Sequence, residues 1–218
     1  LEACTNYYKT YFVPNISYLA IVGDITLDQA KQLVTKYLGA WEKKDVPKTE
    51  LKQVKAPLVR KVTISDRSNS VQSVVSVTYP LDLKIGTVDQ IKALVVNSIL
   101  GGSATARLFM NLREKHAYTY GAYSSLSPNE YVGSFTAYCE VRNSVTDSAV
   151  AEILAEMNKI RTEKITEEEL QNTKNFLTGD FSRSLEDPQT IAAFALNIER
   201  YNLPKDYYKN YLTVLNSL

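Results

Sequence analysis

The chain has 218 residues, with 25 lysines and arginines against 24 aspartates and glutamates, so its formal net charge is +1. Its 44% hydrophobic and 22% charged residues are ordinary for a globular protein with a real core. The balance, with no Lys/Arg-rich run, argues against a nucleic-acid footprint. No apolar run reaches the roughly eighteen residues that a membrane-spanning helix needs.

The first twelve residues place Tyr7, Tyr8, Tyr11 and Phe12 at helical spacing, and Val13-Pro-Asn15 stops that helix. Ser17-Tyr-Leu-Ala-Ile-Val22 is a short apolar run closed by Gly23-Asp24 and reads as a buried strand. Thr26 and Gln29 form a capping box for a helix whose apolar face is Leu27, Ala30, Leu33, Val34, Tyr37 and Leu38, ended by Gly39. From Glu42 to Pro57 charges of both signs and two prolines interrupt any periodicity, as in a solvated linker, taken as residues 43–57.

A second unit begins at about Leu58. Val59–Ile64 and Val71–Tyr79 are rich in β-branched residues and read as strands. Thr87 and Gln90 open a helix with Val88, Ile91, Leu94, Val95 and Ile99 in one stripe, ended by Gly101-Gly102. Ser103 is read as the cap of the next helix, which holds Leu108, Leu112 and Arg113. Tyr118–Ser125 and Tyr131–Glu140 form an antiparallel pair around Ser127-Pro-Asn-Glu130. Ser144 with Asp147 starts a helix carrying Ala149, Ile153, Met157 and Ile160; Thr166 with Glu169 caps another. Asp187-Pro188 supplies an N-cap and an N1 proline, and a tyrosine-rich helix runs from about Asp206. Strands grouped before helices predict an α+β, two-layer domain, an antiparallel-rich sheet packed against helices.

Several motifs dissolve on inspection. Gly101-Gly-Ser-Ala-Thr lacks the lysine of a phosphate-binding loop and follows a helix rather than a strand. Glu167-Glu-Glu169 is explained by a helix dipole. The Thr-x-Asp-Gln-x-Lys-x-Leu shared by 26–33 and 87–94 is common helix-start chemistry rather than a repeat. Cys139 shares a strand face with Gly133, Phe135 and Ala137 and reads as a buried reduced thiol; nothing in the sequence favours pairing it with Cys4. His116 is the single histidine, so no H-x-x-E-H pair can form. No metal ligands are therefore assigned in this chain. The start, Leu1-Glu-Ala-Cys, has neither an initiator methionine nor a signal-peptide core, and reads as an interior cut.

The most informative stretch is Leu100-Gly-Gly-Ser-Ala-Thr-Ala-Arg-Leu-Phe109 followed by Leu112-Arg-Glu-Lys-His-Ala-Tyr-Thr-Tyr120. It is read as a helix ending near His116 that turns into a strand beginning near Tyr118, with Arg113 and Tyr120 brought to the mouth of the sheet. A fixed cation beside a phenol donor suits the holding of a peptide carbonyl as charge develops on its oxygen. Taken alone, these two residues are better explained structurally, the arginine as a helix-end cation and the tyrosine as a cross-strand partner. With Tyr11-Phe-Val-Pro-Asn15 and Ile21-Val-Gly-Asp24, however, the whole pattern strongly resembles the pitrilysin/insulinase family of zinc metallopeptidases, in the half that does not carry zinc.

That resemblance implies a fold and a role. In the family, this arginine and tyrosine face the zinc of the other half and bind the substrate backbone; here they are Arg113 and Tyr120. Zinc and its H-x-x-E-H are then expected in a partner half, in cis or in trans, and the substrate is a peptide. Residues 1–42 are expected to be the closing strand–helix unit of an upstream domain, and 58–218 a non-catalytic domain lacking its own closing strand and helix. An open sheet edge should follow, filled by the 1–42 unit of the same chain or of a second copy in a swapped homodimer. A different class of function, a non-proteolytic structural or assembly subunit of the same fold, is the alternative.

Overall fold

The computed structural model describes residues 1–47 and 56–218. The chain divides into two compact units, Leu1–Leu51 with Asp180–Asn210, and Lys52–Gly179 with Tyr211–Leu218. The central part of the predicted linker lies outside the described residues.

The first unit is helical. α1 (Glu2–Tyr11) and α2 (Leu27–Leu38) form where their spacing predicts, and the Thr26–Gln29 capping box is complete. Asn15 ties the chain after α1 to Lys44, donating to its carbonyl at 3.0 Å and accepting from its N–H at 3.2 Å. α7 (Pro188–Arg200) is capped by Asp187, which accepts from the Gln189 N–H. Phe194 stacks on Tyr208 with ring centres 3.6 Å apart, and Asn197 donates to the Tyr208 hydroxyl. The segment Ser17–Val22 is neither strand nor buried: Tyr18, Leu19, Ile21 and Val22 are exposed. Apolar β-branched composition creates the tendency, but a strand exists only through a hydrogen-bonded neighbour, and none of the described residues pairs with this run.

The second unit holds a three-stranded antiparallel sheet in the order β1-β3-β2, made of β1 (Gln72–Leu81), β2 (Ala122–Ser127) and β3 (Gly133–Arg142). Strand β3 alternates strictly: Gly133, Phe135, Ala137, Cys139 and Val141 are buried while their neighbours face outward. Helix α3 (Val88–Gly101) lies against β2, and a short helix α4 (Arg107–Phe109) continues into a π-helical segment, Met110–Lys115. α5 (Thr146–Thr162) covers the same face of the sheet. The core joins Val75, Leu108, Leu112, Phe135, Val141 and Ile153. A second cluster packs Ile91, Val95 and Ile99 of α3 on Leu177 of α6 (Glu167–Ser184) and Leu215 of α8 (Tyr207–Asn216). Lys174, itself buried, donates to the carbonyl oxygens of Asn216 and Leu218.

Differences from the expected elements are local and physical. Val59–Ile64 forms no strand; it lines an open groove along β1 with Val62 and Ile64 exposed. Strand β1 is paired on one side only among the described residues, and Val74 on it is 73% exposed. β2 begins at Ala122 rather than Tyr118, because the preceding residues are spent in the reversal out of the π-helix. Ser103 does not cap α4; its carbonyl closes a turn to Ala106, which holds the N-cap position. Ser144 and Asp147 likewise do not cap α5: a 3₁₀ turn, Asn143–Val145, precedes it. Thr166 accepts from the Glu169 N–H as expected, but the Glu169 carboxylate turns away to a different partner, Arg107.

That partner explains the arginine of the Arg-Leu-Phe109 motif. Arg107 donates twice to Glu169, Nε to Oε1 at 2.8 Å and Nη2 to Oε2 at 2.6 Å, joining the start of α4 to the start of α6. The Arg107 hydrogen bonds hold the Glu169 carboxyl below its ordinary 4.5. Gly101 has an equally specific reason: a β-carbon there would come within 2.4 Å of the Ser124 backbone nitrogen, so α3 approaches β2 only without a side chain.

Two stability outcomes follow. Gly101→Ala forces α3 off β2 and should destabilise the sheet-bearing unit by about 1–3 kcal/mol, read as a lowered urea midpoint. Glu169→Gln should cost about 1–2 kcal/mol at neutral pH. Because the folded carboxyl titrates below its unfolded value, the contribution is full above 4.5 and fades as pH falls through the folded value. The gap between wild type and variant should therefore shrink on acidification; a gap of constant size down to pH ~3 would contradict this assignment.

Candidate functional site

Arg113 and Tyr120 stand at the two ends of one backbone reversal. Arg113 sits in the π-helical segment, where the wider turn is marked by the His116 N–H donating to the Asn111 carbonyl at 3.1 Å. The segment ends in a broadened left-handed cap. Ala117 has φ +50°, its N–H donates to the Arg113 carbonyl at 3.0 Å, and the Tyr118 N–H reaches back to Leu112 at 2.9 Å. Alanine in that region costs about 1 kcal/mol relative to glycine, so the tertiary structure imposes the turn against local preference. Beyond it, Thr119 braces the path, accepting from the Gly121 N–H and donating to the Gly121 carbonyl.

The two side chains themselves are left available. The Arg113 guanidinium lies over the Phe109 ring at 4.8 Å, with Nε 3.4 Å from Glu114 Oε1. An arginine placed over an aromatic face can still offer N–H groups to solvent or a ligand. Tyr120 is 88% exposed and makes no hydrogen bond among the described residues. No hydrogen bond, ion pair or ring contact joins it to Arg113 among them. The reversal thus carries on one turn a guanidinium in contact with Phe109 and Glu114 and a solvent-exposed phenol.

Beneath the turn lies a polar network that sequence reasoning missed. Asn111, buried, donates from Nδ2 to Glu152 Oε2 at 2.9 Å and to Glu156 Oε1 at 2.6 Å. Lys159 donates to Glu156 Oε1 at 2.8 Å, and that bond raises the lysine above its usual range. His116 stacks on Tyr118, ring centres 4.9 Å apart, and its Nε2 lies 3.8 Å from Glu152 Oε1. The only sequence trace of this network is Glu156, next to Met157 and three residues from Ile153 on a helix read as simply amphipathic.

These donors do not fit a zinc site. The carboxylates are engaged by amide and ammonium groups, one imidazole is at hand, and no group of three or more metal-ligating side chains converges among the described residues. Cys139 is buried in the core and burial pushes its thiol up to about 11, so it acts as a small hydrophobe; both cysteines are free. No helix among the described residues is long and apolar enough to cross a membrane.

Comparison with known proteins gives this geometry its setting. The chain is 24% identical over 185 residues to the uncharacterized zinc protease YmxG of Bacillus subtilis, covering 85% of this chain and 44% of that protein. It therefore spans less than half the length of that relative. Its fold is similar to a peptidase M16 inactive domain from Pseudomonas fluorescens, with TM-score 0.74 and 22% identity over 90% of this chain and 46% of that one. A protease from Helicobacter pylori matches the whole chain at TM-score 0.83 and 19% identity, over 55% of its own length. The peptidase M16 inactive domain matches residues 1–177 directly. The chain belongs to that family, the inactive domains of the pitrilysin/insulinase zinc peptidases.

Proposed function

We propose that this chain is the metal-free, substrate-binding part of a zinc endopeptidase, contributing Arg113 and Tyr120 to an active site completed by a zinc-bearing half. The observation that carries the reading is the disposition of that pair. A guanidinium and a phenol project from one turn whose backbone is tied down at both ends, while the side chains themselves are barely engaged. A tyrosine serving only as packing would bury its ring; Tyr120 does the reverse.

In this reading Tyr120 donates its hydroxyl proton in a hydrogen bond to the scissile carbonyl oxygen as negative charge gathers there. Arg113, steadied on Phe109, directs its fork at a neighbouring backbone carbonyl or a terminal carboxylate and fixes the peptide's register. Both interactions are strongest in the transition state, which is where they raise rate rather than mere affinity. Residues 1–42 then close an upstream domain and 58–218 form the domain that carries the pair. The substrate is a peptide enclosed between the two halves.

Supplied with a zinc-bearing H-x-x-E-H half and a fluorogenic peptide, Tyr120→Phe and Arg113→Ala should each lower kcat/KM by roughly ten- to a thousandfold. Thermal unfolding of Tyr120→Phe should stay close to wild type, since the ring is in solvent. Wild-type rates in both variants would refute the roles. The isolated chain should cleave no peptide and retain no stoichiometric zinc after dialysis; turnover with one tightly held Zn²⁺ per chain would do the same.

A further inference from the structure

The turn that carries Arg113 is wider than an α-helix allows, and the acid–amide network on α5 accounts for how it stays so. Both N–H donors of Asn111 are used, one on Glu152 and one on Glu156, and its Oδ1 has no partner. The orientation of the amide is dictated: reversing it would set Oδ1 against two carboxylates. Glu152 then reaches further along the same turn. Its Oε2 accepts from Asn111 while its Oε1 lies 3.8 Å from His116 Nε2. Residues 111 and 116 are also the two joined by the π-type backbone hydrogen bond. Glu152 therefore holds the first residue of the wide turn and lies near its last, with no hydrogen bond to His116 Nε2, while buried Glu156, paired with Lys159, gives Asn111 its second acceptor.

We infer that Asn111, Glu152 and Glu156 are the positioning residues of Arg113, holding the π register and with it the direction in which the arginine leaves the helix. This rests on the proposed role of Arg113. Passing from π to α register turns the residues beyond the bulge by about 100° about the helix axis, one residue's share of a 3.6-residue turn. The rotation accumulates through the turn, so Arg113, midway along it, would take part of it and lift from Phe109, and the reversal that leads to Tyr120 would take all of it. A wide turn packs less well than an α-turn, so it persists only where tertiary contacts hold it. Leu112, fully buried in the core, fixes the depth of the segment. The amide–carboxylate bonds fix its rotation.

The test uses the chain together with its zinc-bearing half. Asn111→Asp keeps the shape but removes both donors, and Glu152→Ala removes one carboxylate acceptor at a half-exposed position where folding should survive. Each should lower kcat/KM by about ten- to a hundredfold, the range for a misplaced positioning group. Each should cost less in an Arg113→Ala background than in the wild-type chain, the difference being the share of the effect that acts through Arg113. Glu152→Gln, whose carbonyl still accepts from Asn111, should stay near wild type. Hydrogen exchange at the His116 and Tyr118 amides should accelerate in the two damaging variants. Full activity in both, or equal losses with and without Arg113, overturns the inference. Wild-type activity of Arg113→Ala alone would instead overturn the proposed function. Exchange at residues 116 and 118 would then still decide whether the network holds the turn, unchanged rates counting against it.

Discussion

The buried face of β3 organises the sheet-bearing unit. Phe135, Ala137, Cys139 and Val141 present a continuous apolar row, and onto it pack Leu108 and Leu112 from α4 and its π-helical continuation and Ile153 from α5. The alternation of β3 and the periods of the two helical segments must agree for that core to close, and burial of each large aliphatic contributes about 1.5–3 kcal/mol to the agreement. Once Leu108 and Leu112 are seated, the chain between them and β2 has only one route. It must leave the helix, reverse, and enter the sheet beside β3. Arg113 and Tyr120 ride on that route, so no direct bond between them is needed to bring them to one turn.

The same core is open on one flank. Val75, Phe135 and Met157 line the groove between β1 and the extended segment that includes Val59–Ile64. Backbone groups on the side of β1 that has no partner strand among the described residues, and an apolar trough beneath it, are what a sheet presents where a further strand could join. The composition of Val59–Ile64 and of Ser17–Val22 is that of strands, yet neither pairs with a strand among the described residues. Propensity in such segments expresses fit to a pleated, half-buried surface; without the neighbouring ladder there is nothing to fit.

Helices were legible because their signals are local. The Thr26–Gln29 box, Asp187-Pro188 and the periodic stripes at 88–99 and 149–160 depend on residues within a few positions of each other, and the strict alternation of β3 named its own buried face. The candidate pair was legible by a different means, a motif whose register from Leu100 to Tyr120 resembles a known family. What sequence could not carry was anything settled by distant partners. Glu169 was read as the second member of a capping box, yet Arg107, 62 positions away, offers it two charge-assisted bonds that outweigh the local one. The π-helical turn depends on Asn111 meeting α5 across 41 and 45 positions. No periodicity announces such a bulge, and a window of ideal α spacing passes straight over it.

The sheet order has a consequence for how this chain is made. Among the described residues β1 pairs with β3 and with no nearer strand, so that Ser73 finds Asn143, 70 positions later in the chain. During synthesis at about 5–20 residues per second, β1 would wait several seconds for its partner. In that interval α3 can already form, helices needing only their own residues. Within the sheet-bearing unit, the first structure off the ribosome is then a helix beside a bare valine-rich segment. In that window the unpaired strand, rather than the finished sheet, is the surface open to aggregation and to chaperones.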